Sequence, residues 1–136
     1  MKALKIVLVA IGLVCALGCA PGVVAPWPTV NHWLGIIGLE PLPDQPMVVY
    51  CVRLSSLGFA LIGVFFLLLA TDPLRYRPLL ALGVWGLLLT SAVALTTGRL
   101  VGMRPPWYWA DSGFSLLAAV LILVLWPRES KAPSRE

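Results

Sequence analysis

Charge is what this chain has least of. Only 12% of its 136 residues are Asp, Glu, Lys or Arg, against about a quarter in ordinary globular chains. Hydrophobic residues make up 60%, more than a domain of this length can hide in a core of its own, so its solvent must be apolar too. Other scarcities exclude whole functions. The single histidine, His32, rules out a bis-histidine haem and gives little support to a metal centre. Three cysteines, Cys15, Cys19 and Cys51, all lie in apolar stretches; their odd number argues against a disulfide framework. Cys15 and Cys19 stand four apart, which is not a redox CxxC, and read as small packing residues. No basic stripe carries interleaved aromatics, so the net charge of +4 does not point to nucleic acid. With no nucleophile–base pair and no metal cluster, the expectation is no catalytic residue, no cofactor and no enzyme.

What is present is four long apolar segments. A spanning helix needs about 20 mostly apolar residues, and candidates run over about 4–24, 47–70, 79–97 and 107–126. Nothing alternates in polarity as a β-barrel would. The expected fold is all-α: one polytopic domain, four transmembrane helices in a compact bundle, an outer loop over 25–46 and a tail over 127–136. Orientation follows from basic residues in the short connections. Lys2, Lys5, Arg75, Arg77, Arg128, Lys131 and Arg135 fall on one side, against Arg99 and Arg104 on the other. Both termini are therefore expected in the cytoplasm, in a bacterial inner membrane. Aromatic residues agree: Trp27, Trp33, Tyr50, Trp107, Tyr108 and Trp109 mark the outer boundary, and Tyr76 and Trp126 the inner one.

The first segment has a competing reading. A basic start, an apolar run and Ala16-Leu17-Gly18-Cys19 resemble a lipoprotein leader that would be cleaved before Cys19. The apolar run continues through Val24 with no polar linker, so the segment is expected to stay as the first helix. The outer loop holds Pro26, Pro28, Pro41, Pro43 and Pro46, which bracket a helix-compatible stretch at about 29–39. There Val30, Trp33, Leu34 and Ile37 recur at helical spacing with Asn31 and His32 off that face, the pattern of a short interfacial lid, apolar side down.

Helices in lipid pack through small residues. The third segment offers Gly86, Thr90, Ala94 and Gly98, the second Ser56, Ala60 and Gly63 on the face of Arg53, and the fourth Asp111, Ser115 and Ala119. Arg53 and Asp111 are the two charges inside the apolar runs; Asp72-Pro73 simply stops the second helix. At about 1.5 Å per residue, Arg53 sits roughly 9 Å below Met47 and Asp111 roughly 6 Å below Trp107. An unpaired charge there costs at least ~2.5 kcal/mol. An Arg53–Asp111 ion pair is expected, with Ser55, Ser56, Ser112 and Ser115 completing its hydrogen bonds, either as a structural clamp or as a polar site for a ligand.

The order Tyr50-x-x-Arg53, Gly58, Gly63, Asp72-Pro73, Gly98-Arg99, Gly102, Pro105 and Asp111 resembles the BphX-like group of small bacterial four-helix membrane proteins. The resemblance covers roughly the last two thirds of the chain and implies the same four-helix fold. Members often have an acidic residue further along the fourth helix, where this chain has Ser115 and Ala119. The group carries no settled activity to transfer.

Function is expected to be that of a non-catalytic accessory or scaffold subunit beside a larger membrane protein partner, or in a homo-oligomer. The alternative is a binding or transport module for a lipid or quinone around Arg53 and Asp111, under a lid bearing His32 and Trp33. A proton-coupled exporter is disfavoured because the first segment contains no acid, and a four-helix redox enzyme because there is no CxxC.

Overall fold

The computed structural model describes residues 2–126. Five helices form there: α1 (Lys2–Val24), α2 (Trp27–Ile36), α3 (Pro46–Thr71), α4 (Arg77–Leu100) and α5 (Pro105–Val124). No strand occurs among the described residues. Helices α1, α3, α4 and α5 are long and apolar enough to cross a membrane, and their apolar surfaces suit a bilayer. The expected tail, with Arg128, Lys131 and Arg135, lies outside the described residues.

Helix ends follow local backbone chemistry. Helix α1 stops where Pro26 cannot continue it; the Ala25 N–H closes the last turn on the Pro21 carbonyl at 2.9 Å. Helix α2 starts at Trp27, two residues before the proline-bracketed estimate, because Pro28 falls in a first turn where its missing N–H is not needed. It ends at Gly38, whose φ of 79° lets the Gly38 and Leu39 N–H groups bond back to Gly35 and Leu34. Helix α4 runs past its expected stop at Gly98 and ends in the same motif. Gly102, at φ 70°, bonds to Arg99 at 3.2 Å, and Met103 bonds to Gly98 at 3.0 Å.

The chain divides into two compact units, Val9–Leu68 and the remainder. In the unit formed by Val9–Leu68, α1 and α3 meet backbone to backbone. A Cβ placed on Gly63 would strike the Ala16 backbone nitrogen and the Gly12 carbonyl oxygen, and one on Gly12 would come within 2.9 Å of the Gly63 oxygen. Gly12 and Ala16 thus form the small-x-x-x-small edge that lets helices approach closely in lipid. The α2 segment is tied down by Asn31, whose amide donates to the Leu42 carbonyl at 3.1 Å and accepts from the Leu42 N–H at 2.9 Å.

The other unit is built on the α4–α5 pair. Buried positions on α4 are Leu80, Gly83, Val84, Leu87, Ser91 and Gly98, and on α5 Ser112, Ser115, Ala118, Ala119 and Ile122. Leu80, Val84, Leu87, Ser91 and Gly98 on α4, and Ser112, Ser115, Ala119 and Ile122 on α5, advance in steps of three and four, or seven, the spacing of left-handed knobs-into-holes packing, with Gly83 and Ala118 beside those rows. The Ser91 and Ser112 hydroxyls meet in this seam at 2.7 Å, and Gly98 lies beneath the Tyr108 ring. The expected row of Gly86, Thr90, Ala94 and Gly98 is not the packing face. Gly86 and Thr90 are exposed, because steps of four drift by about 40° each and leave a straight seam quickly. In the same unit Lys5 Nζ donates to the Thr71 carbonyl at 2.8 Å, capping the end of α3.

Candidate functional site

Arg53 sits two turns into α3 and is half-buried. Its guanidinium donates to the Val23 carbonyl and, at 3.2 Å, to the Ala25 carbonyl. These oxygens belong to the C-terminal end of α1, where the last carbonyls of a helix have no intrahelical partner and the helix dipole is negative. A planar fork with several donors suits two adjacent carbonyls. The cation is thus stabilised by a helix end, so it does not require a carboxylate to be satisfied.

Ser56, one turn further along α3, faces α1 as Arg53 does; a Cβ on Gly22 would collide with its side chain. Arg53, Ser56 and Gly63 therefore share one packing face. Asp111 and Ser115 belong to the other unit. Asp111 is exposed, whereas its neighbour Ser112 is buried and takes Ser91 as its partner. Ser115 is buried in the same seam. The two residues of the expected ion pair thus fall in separate units, each with surroundings of its own.

The α2 segment divides its expected apolar face. Val30 is buried and Leu34 half-buried, while Trp33 is 56% exposed and Ile37 52% exposed. His32 is exposed beside Trp33. At the start of α2 the Trp27 Nε1–H is buried and has no hydrogen-bond acceptor among the described residues, which is uncommon for a buried indole. Among the described residues no three His, Cys, Asp or Glu side chains come together as a metal site.

Two polar contacts have no counterpart in the sequence reading. The carbonyl cradle of Arg53 could have been found from the α1 end before Pro26, which leaves orphan acceptors. The Ser91–Ser112 bond could have been found by counting in sevens along both helices. Comparison of the chain with family models, with curated proteins and with solved structures finds no match.

Proposed function

We propose that the chain is a non-catalytic accessory or scaffold subunit of a larger membrane assembly. The observation that carries this reading is one open glycine on each spanning helix. Among the described residues, nothing lies within 4 Å of where a Cβ would stand on Gly18 of α1, Gly58 of α3, Gly86 of α4 or Gly113 of α5. Glycine within a helix is about 1 kcal/mol less favourable than alanine, and no contact among the described residues compensates for these four. A helix from another protein, approaching closely over them, would. The Arg53 contacts support the same reading, since two of its donors serve to hold α3 on the end of α1. The resemblance to BphX-like proteins and the seven-to-two bias in Lys and Arg further favour a bacterial inner membrane with both termini cytoplasmic.

The test is a photo-crosslinker in cells at the exposed Leu89, one turn from Gly86 on α4, followed by solubilisation in mild detergent. A single product with one larger membrane protein, or with a second copy of the chain, is expected. Gly86→Leu should abolish that product while leaving the thermal unfolding of the isolated chain unchanged. A chain that crosslinks to nothing and purifies alone would refute the reading.

One observation favours a second reading, a binding module for a lipid or quinone. The unpaired Trp27 Nε1–H is a buried donor suited to a carbonyl or phosphate oxygen. Retention of a quinone or lipid by the purified chain, lost in Trp27→Phe, would move this reading ahead of the first.

A further inference from the structure

The geometry points to a docking surface for the phosphate headgroups of anionic lipids at the end of the molecule carrying Lys2, Lys5, Arg75 and Arg77. All four residues belong to one unit. Lys5 Nζ rests on the Thr71 carbonyl at 2.8 Å, which brings the start of α1 to the end of α3. The turn that follows contains Arg75, whose backbone N–H donates to Asp72 Oδ1 at 3.3 Å. Arg77 then opens α4, and its guanidinium lies 6.0 Å from the centre of the Trp126 ring just beyond α5. Two stretches of chain, the start of α1 and the turn leading into α4, therefore deliver four cations to one end of the spanning helices. Among the described residues there, Asp72 is the sole carboxylate, and it is engaged by the backbone of its own turn.

The chemistry at this end selects the partner. Lys2, Lys5 and Arg75 are exposed, and the ends of spanning helices lie at headgroup depth. Arg75 stacks 5.8 Å from the Tyr76 ring centre, so each arginine is steadied by an aromatic ring of the kind that anchors at a bilayer interface. A surface cation near an anionic bilayer gains a several-fold preference for it. Clustered lysines and arginines beside spanning helices meet phosphodiesters that the membrane itself supplies. The exposed Lys2 and Arg75 make the headgroup contact; Lys5 and Arg77 raise the local potential from their positions on Thr71 and Trp126.

Native mass spectrometry of the full chain, with phosphatidylglycerol and phosphatidylcholine offered at equal concentration, tests this directly. The expected result is preferential retention of phosphatidylglycerol, weakened at least about fivefold in a Lys2→Gln/Arg75→Gln variant. An Arg99→Gln/Arg104→Gln variant removes the same charge at the other end of α4, about 33 Å away at the helical rise, and should retain the lipid as the parent does. Helicity by circular dichroism confirms that both variants are folded. Equal retention of the two lipids, or equal loss in the two variants, would overturn the proposal. So would displacement of the bound lipid by millimolar inorganic phosphate, which would make the site one for free anions.

Discussion

An arginine within an apolar helix is tolerable when its donors find acceptors, and Arg53 finds two at the end of α1. Arg53→Leu should lower stability by about 2 kcal/mol, the loss of hydrogen bonds to a charged group, measured by thermal unfolding in detergent. Arg53→Lys should recover only part of this, because a single ammonium cannot span both carbonyls with the fork of a guanidinium. Ser91 and Ser112 make a second residue-scale prediction. Ser91→Ala strands the Ser112 hydroxyl and should cost about 1 kcal/mol, while adding Ser112→Ala should restore most of it. The position and depth of Arg53 were legible in the sequence, since one charge in an apolar run stands out. Its acceptors were not, because a backbone carbonyl leaves no mark in residue identity. Depth in the bilayer, which residue identity does show, is what matched Arg53 with Asp111 in the sequence.

At the scale of elements, glycine has opposite meanings in neighbouring turns of α3. Gly63 lies against the backbone of α1, whereas Gly58, five residues earlier, faces open space. Gly63→Val should therefore destabilise by roughly 1–3 kcal/mol through overpacking. Gly58→Ala should leave the isolated chain unchanged or up to about 1 kcal/mol more stable. Urea unfolding in mixed micelles distinguishes the two. The four long helices were legible because hydropathy over some twenty residues is a bulk property. Their packing faces were only half legible. Ser56 and Gly63 do meet α1, but Gly86 and Thr90 turn away from α5, and Thr90 bonds its hydroxyl to the Gly86 carbonyl of its own helix at 2.9 Å. Composition shows where small residues are, while a seam at intervals of seven decides which of them are covered.

At the scale of the molecule, an even number of spans returns the chain to the side where it began. Single cysteines placed at Asp44, after α2, and at Arg75, after α3, should react with an impermeant reagent from opposite faces of sealed vesicles. Reaction of both from one face would exclude the four-span arrangement. The order of synthesis gives the α4–α5 seam a further meaning. Ser91 emerges from the ribosome twenty-one residues before the hydroxyl it will bond. Until α5 arrives, that hydroxyl can turn only to a carbonyl of its own helix, as Thr90 and Thr96 do permanently. The Ser91–Ser112 bond therefore forms only once α5 is in place. A nascent chain halted before Ser112 keeps that hydroxyl on its own helix and leaves the seam face of α4 open to lipid.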